Sequence, residues 1–286
     1  GGLDGLKVVE ITQGACGPFA SQLMAYSGAD VVKVEPPEGD YARYWGPPFI
    51  GGESAVLLAL NRHKRSVALN LATAEGRQIL AALLGGADVF LEDLGPGGLA
   101  SLGIEPGKAN PRLIHCSISA FGEEGPLKNL AGSELVIQAM SDYWGSLGAI
   151  GEPPERLGAD VASINTAIFA FDAVLAALFH RARTGVGQRV AVSMYGTLLH
   201  MRGIMWAAQT NPDDWYGFHC DTYVKPRDHG YRTKDRPIYF SLRRMDEESW
   251  IRLLAELGLL DRVIEDPRFW EGGREAVGTG RYAHEV

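Results

Sequence analysis

Apolar residues along this chain fall into short consecutive runs separated by stretches of helical spacing. Lys7 to Thr12 (KVVEIT) is a β-rich run, and after a loop around Gly17-Pro18 the segment Phe19 to Ser27 carries apolar residues at helical spacing. Asp30 to Glu35 (DVVKVE) is a second buried strand, closed by Pro36-Pro37. This is a β-loop-α-β unit, and its crossover implies parallel pairing. The pattern recurs as strand Arg65 to Leu69, helix Ala74 to Leu84, strand Ala87 to Glu92, short helix Gly98 to Leu102 and strand Leu113 to Ser119. Such alternation predicts an α/β fold built on a doubly wound, mostly parallel, Rossmann-like sheet.

Helical spacing returns from Ser133 to about Leu147 and is interrupted by the Gly-Pro-rich stretch Gly148 to Gly158. Ala159 to Arg183 reads as a long apolar helix stopped by Thr184-Gly185-Val186-Gly187, and Gln188 to Met194 as another strand. Beyond about Thr210 the character changes. Asn211 to Arg236 is rich in aromatic, Asp and Pro residues, then come a strand at Pro237 to Leu242 and a helix at Glu247 to Leu257. Gly272 to Val286 closes no recognisable element. Residues 1–210 are therefore expected to form a large α/β domain, and residues 211–286 a connection into the start of a smaller α+β domain that reads as truncated. The Gly1-Gly2 start likewise reads as a cut.

Composition narrows the partners. With 286 residues, 46% hydrophobic and 22% charged, the chain has the balance of a folded protein with a sizeable core. A net charge of −8 gives no overall basic field for nucleic acid, so an anionic ligand must be held by local cations and backbone amides. Cys16, Cys116 and Cys220 are widely spaced, with no metal or disulfide pattern. No leader pattern is seen, and no apolar run approaches the roughly 20 residues of a membrane span. A cytoplasmic protein without membrane or nucleic-acid partners is expected.

Three features carry candidate chemistry. The loop Thr12 to Pro18 sits where a doubly wound sheet binds ligands, but it lacks both the dinucleotide glycine pattern and the Lys-Ser/Thr of a phosphate loop. Asn61-Arg62-His63-Lys64-Arg65-Ser66 is a dense basic knot that could grip a phosphate, though a solvated basic turn explains it too. Downstream, Glu92-Asp93-Leu94-Gly95-Pro96-Gly97 follows a strand, and its glycines would let a ligand approach the backbone. Asp160, at the entrance of the long apolar helix, is on local grounds an N-cap. The same place suits a nucleophilic carboxylate, kept ionised by the helix N–H groups, which could also stabilise an oxyanion.

Several segments together resemble the family III CoA-transferases and the related α-methylacyl-CoA racemase branch. They are Leu3-Asp4-Gly5-Leu6-Lys7-Val8-Val9-Glu10, Gly17-Pro18-Phe19-Ala20, Gly28 to Pro37 (GADVVKVEPP), Asn61 with Lys64-Arg65-Ser66, Gly95-Pro96-Gly97 and Arg183-Thr184-Gly185-Val186-Gly187-Gln188. The resemblance runs over nearly the whole chain and is strongest up to about Met194.

The resemblance implies that Asp160 is the catalytic aspartate, moving CoA from an acyl-CoA to a carboxylic acid through mixed-anhydride and aspartyl-CoA thioester intermediates. It implies CoA contacts at Asn61, Lys64, Arg65, Leu69, Asp93, Leu94, Gly95, Pro96 and Gly97, no prosthetic group, no metal, coenzyme A as substrate, and an interlocked homodimer. Asp93 would repel a phosphate and is expected to face ribose or solvent. Pro36 replaces a basic residue seen in some members, Ala15 replaces a glutamine of formyl-CoA transferase, and no glycine-rich lid is found between Met201 and Pro237. Ser133 stands where the racemase branch has its histidine, which disfavours racemisation. Glu134 could substitute, but reads more simply as a surface helix glutamate. The alternatives kept open are an acyl-CoA racemase or lyase, and a CoA-binding chain with impaired turnover.

Overall fold

The computed structural model describes residues 1–144, 153, 155–203, 234 and 246–265. The chain divides into two compact units, Gly1–Ser141 with Ala159–His200, and Asp142–Gly158 with Met201–Val286. Every residue singled out above for chemistry lies in the first.

That unit begins with strand β1 (Lys7–Ile11), helix α1 (Cys16–Tyr26) and strand β2 (Asp30–Glu35). After a 3-10 turn at Tyr41–Tyr44, a small hairpin of β3 (Phe49–Ile50) and β4 (Glu53–Ser54) leads into α2 (Ala55–Leu60), β5 (Lys64–Ala68) and α3 (Ala74–Gly85). Then come β6 (Val89–Glu92), the short helices α4 (Gly98–Ser101) and α5 (Pro106–Ala109), β7 (Ile114–Ser119), α6 (Glu134–Met140), α7 (Val161–Thr184), β8 (Gln188–Ser193) and α8 (Met194–Met201).

Six strands form one parallel sheet in the order β5-β2-β1-β6-β7-β8. The order reverses between β1 and β6, so the loops leaving their carboxyl ends diverge and open a crevice. Adjacent residues of each strand point to opposite faces. Val8, Val31, Val89, Leu91 and Ile114 pack with Met24 of α1 and Ala167, Ala170 and Val174 of α7, whereas Val9, Val34 and Phe90 pack with Leu80 and Leu84 of α3. Full burial of a Val, Leu or Ile side chain contributes about 1.5–3 kcal/mol, which is what holds both layers on the sheet.

Helix α1 starts at Cys16 rather than Phe19 because Pro18 occupies its first turn, where a missing N–H donor costs nothing. Gly17 is required beside it, since a Cβ there would lie 2.3 Å from Cβ of Thr12. Of the helical spacing read from Ser133 to Leu147, the described residues form α6, with Ser141 as its C-cap and Asp142 in the left-handed region at φ 58°, and residues 145–147 lie outside the described residues. Contrary to the expectation that no stretch approaches a membrane span, α7 has the necessary length and composition, with 24 residues and a mean hydropathy of 1.8 over its most apolar window. It serves as a core helix against α1 and the sheet, with Ala162, Ala167, Ala170 and Val174 fully buried.

In the second unit, the helix Glu247–Glu256 starts where Asp246 accepts from the Ser249 amide at 2.8 Å. With the helix Leu260–Glu265 it encloses Trp250 and Leu254. The expected strand at Pro237 to Leu242, the tail from Gly272, Cys220 and nearly all of Asn211 to Arg236 lie outside the described residues.

At Gly187 the chain passes close to its own backbone: a Cβ there would lie 2.3 Å from the Leu113 carbonyl oxygen. Gly187→Ala is expected to lower unfolding stability by about 1–3 kcal/mol, read from urea denaturation. An unshifted midpoint would contradict the close approach of β7 and β8 entry loops.

Candidate functional site

The loop after β1 is held in place by a buried ionic network. Lys33, 2% exposed in the middle of β2, donates to the Thr12 carbonyl at 2.7 Å and pairs with Asp40 at 2.9 Å. The Asp40 carboxylate also accepts from the amides of Gly14 at 2.9 Å and Ala42 at 2.8 Å. Burial opposes the Lys33 charge, but the carboxylates of Glu10 and Asp40 outweigh it and hold the ammonium above the ordinary lysine range. The hydroxyl of Thr12 donates to buried Glu10, whose other oxygen pairs with Lys64 at 2.8 Å. One strand residue, one loop carbonyl and one turn are thereby locked together, with Gly14 at φ 78° letting the loop bend.

The predicted ligand residues separate into two groups. Asn61, Lys64 and Arg65 lie by the amino end of β5. The Lys64 ammonium is buried and places its three protons on Glu10, the Pro18 carbonyl and the Asn61 side chain. Burial is the largest influence on it and pulls its pKa down to about 8 in spite of Glu10. Arg65 is exposed and grips both oxygens of Asp30, at 2.8 and 2.6 Å. Leu69 and the segment Asp93 to Gly97 instead lie at the carboxyl ends of β5 and β6.

There the structure has a cavity of about 290 Å³. Leu69, Leu94, Ile11, Val34 and Leu102 form its apolar walls, Gln13 and Asn70 add amides, and Glu35 and Glu38 add carboxylates. Glu35 is turned to internal partners: Arg43 at 2.9 Å, the Ser66 hydroxyl at 2.6 Å and the Asp40 amide at 2.9 Å. Gly95 and Gly97 both take positive φ, 76° and 78°, so the loop between Leu94 and α4 requires glycine at both. Pro96 is the exposed corner between them.

Asp93, expected to face ribose or solvent, is half-buried. Its carboxylate crosses the crevice to accept from the Gln13 amide at 3.0 Å, and burial pushes its pKa up to about 7 against that hydrogen bond. The two loops that flank the switch of strand order are thus tied to each other.

Asp160 precedes α7 and starts it through its backbone carbonyl, which accepts from Ile164 at 2.9 Å, but its side chain does not cap the helix. Glu134 does. One of its oxygens accepts from the amide of Ala162 at 2.8 Å, the other from the amide and hydroxyl of Ser163 at 2.7 Å each, and Gln138 donates to it at 2.7 Å. Glu134 is therefore a bridge from α6 to α7, not a surface glutamate. The Val161 amide bonds to the Ala159 carbonyl at 2.9 Å, so the first amides of α7, which could have stabilised an oxyanion, all have acceptors within the chain. Ser133 is likewise engaged, as the cap of α6 through the Val136 amide. The sequence signal for Glu134 was its place in the first turn of one helix, which suggested only an exposed face; its acceptor role needs α7 beside it. Lys33 offered a better signal, a lysine inside an apolar strand, where only a buried partner allows it.

Residues 3–279 match the family model described as CoA-transferase family III. A succinate–glutarate CoA-transferase of Agrobacterium fabrum is 40% identical over 67% of this chain and 50% of its own length. An acetyl-CoA:oxalate CoA-transferase of Acetobacter aceti is 33% identical over 95% of this chain and 70% of its own. The crystal structure of a CAIB/BAIF family protein from Brucella suis superposes with a TM-score of 0.75 at 31% identity, covering 99% of this chain and 75% of that one. The chain spans about half the length of several curated relatives it matches.

Glu134→Ala is expected to strand the Ala162 and Ser163 amides and to cost about 1–3 kcal/mol of stability, measured by thermal or urea unfolding. Asp93 supplies a pH signature. Its folded pKa of about 7 lies above the ordinary 3.8, so the stability gained from its protonated form is complete below about pH 4 and is lost as pH rises through 7. Asp93→Asn should flatten the unfolding midpoint between pH 4 and 7 relative to the unchanged protein. An identical pH profile in both would contradict a desolvated Asp93 carboxyl.

Proposed function

The chain belongs to CoA-transferase family III, and on that premise we propose that it moves CoA from an acyl-CoA to an acceptor carboxylic acid with Asp160 as the nucleophile. The Asp160 carboxylate attacks the thioester carbonyl, expelling CoA thiolate and leaving a mixed anhydride. The thiolate then attacks the aspartyl carbonyl of that anhydride, releasing the donor acid and leaving an aspartyl-CoA thioester. An acceptor carboxylate attacks this thioester, the thiolate returns to the new acyl group, and the free aspartate is regenerated. Each step exchanges one activated acyl bond for another of similar energy, so the protein's task is to position the groups and to accommodate developing charge. Coenzyme A is substrate throughout, and the chain's own residues supply the chemistry.

One observation carries the reading. An aspartate at a helix start is ordinarily its cap, and here Glu134 accepts from the amides of Ala162 and Ser163 while the Asp160 side chain makes no cap hydrogen bond. The Asp160 carboxylate stays at the positive end of a 24-residue helix without being consumed as its cap. The cavity bordered by Leu69 and Leu94 suits the nucleoside end of CoA, which combines an apolar base with polar sugar edges. Lys64, Asn61 and Asp93 support that site by holding the loop after β1 rather than by touching CoA. Acids of the kind named for the relatives, succinate, glutarate and oxalate, are the acceptors to try first, and the active form is expected to be a homodimer.

Asp160→Asn tests this with succinyl-CoA as donor and glutarate as acceptor. Turnover should fall by at least about three orders of magnitude, while CoA binding measured by calorimetry stays within about twofold. Retained turnover would rule out Asp160 as nucleophile.

A further inference from the structure

The cavity at the carboxyl ends of β1, β2, β5 and β6 has an unusual charge balance for a nucleotide end. Its lining includes Glu35 and Glu38 but neither lysine nor arginine. CoA carries a 3′-phosphate on its ribose, and a phosphate is held best by a guanidinium or ammonium. The neighbouring cations are committed to carboxylates: Arg43 to Glu35 and Glu53, Lys33 to Asp40, Lys64 to Glu10 and Arg65 to Asp30.

Arg77 differs. It lies in the first turns of α3, and its Nη1 donates to the carbonyls of Leu71 at 3.1 Å and Ala72 at 2.8 Å, both in the cavity wall. Among the described residues it pairs with no carboxylate, so its Nε and Nη2 donors are unspent. The turn that carries those carbonyls is rigid, because Asn70 accepts from the Ala72 amide at 3.0 Å and Thr73 caps α3 through the Gly76 amide at 3.1 Å. Arg77 is thereby tied to two residues that line the cavity, and the carboxylates in that lining, Glu35 and Glu38, repel an anion.

We propose that Arg77 is the specificity-determining contact for the phosphate on the ribose of CoA, by which the cavity distinguishes CoA from dephospho-CoA. This rests on the CoA-transferase reading above. Glutamates in the lining and an arginine just beyond Leu71 and Ala72 orient the nucleoside, with its phosphate towards α3. The contact acts on binding and not on the reacting carbonyl, so it belongs in KM and not in kcat.

The test compares CoA with dephospho-CoA by calorimetry, and their succinyl thioesters by turnover, in the unchanged protein, in Arg77→Gln and in Arg77→Lys. The unchanged protein is expected to bind CoA about tenfold more tightly than dephospho-CoA. Arg77→Gln should weaken CoA about tenfold, raise KM for succinyl-CoA alike, leave kcat within twofold and leave dephospho-CoA unaffected. Arg77→Lys should restore part of the preference. Equal losses for both ligands would overturn the proposal, since they would mean that Arg77 only braces the turn at Leu71 and Ala72. Equal affinity for both ligands in the unchanged protein would overturn it too, with the transferase reading intact. Failure of the unchanged protein to bind either ligand would overturn that reading, and Arg77's role with it.

Discussion

A lysine in the middle of an apolar strand is the constraint around which the ligand end of this molecule is organised. Lys33 is covered by the layers that make the fold, so its charge must be answered locally, and Asp40 and the Thr12 carbonyl answer it. Burying an unpaired ammonium would cost several kcal/mol, so the loop after β1 and the turn after β2 cannot relax independently of the core. Glu10 extends the same constraint to Lys64 and thus to the start of β5. Gly14, Gln13 and Asp93 then inherit their positions, and the crevice between β1 and β6 is held at fixed width by backbone amides on acid side chains. Buried ion pairs are weak sources of stability, and here the pair fixes the geometry of the crevice between β1 and β6.

The same division of labour recurs at the start of α7. A helix beginning needs acceptors for its first amides, and any acid nearby can provide them. Glu134 reaches across from α6 to do so, which couples the two helices and relieves Asp160 of that duty. Charge at the helix start is therefore split between a structural carboxylate and a second one at the positive end of the dipole. The local geometry supplies the reason that the second is not simply a cap.

Much of the sheet was legible in sequence because its strands are continuous apolar runs bounded by glycine, proline and helical spacing. KVVEI, DVVKVE and QRVAVS lie within a residue or two of where the pattern puts them. Pieces whose formation depends on neighbours were not legible. The hairpin at Phe49 to Ser54 and the helix Ala55–Leu60 are short, and Ser54 caps the latter only once the chain has turned there. Leu69 and Leu94, which the resemblance singles out, both border the cavity. Lys64 and Arg65, read as a phosphate grip, are drawn into ion pairs with Glu10 and Asp30, partners far away in sequence. Arg77 escaped notice because a lone arginine in a helical stretch looks like any solvated face until its carbonyl partners are seen to be a cavity wall.

Covalent occupancy of Asp160 is the claim on which the functional account stands. Incubation with succinyl-CoA without acceptor, followed by borohydride reduction or hydroxylamine cleavage and peptide mass spectrometry, reads it directly. The account predicts modification confined to the peptide carrying Asp160 and localised to its side chain. CoA transfer proceeding at full rate with that aspartate unmodified, or with the label on another residue, would contradict it.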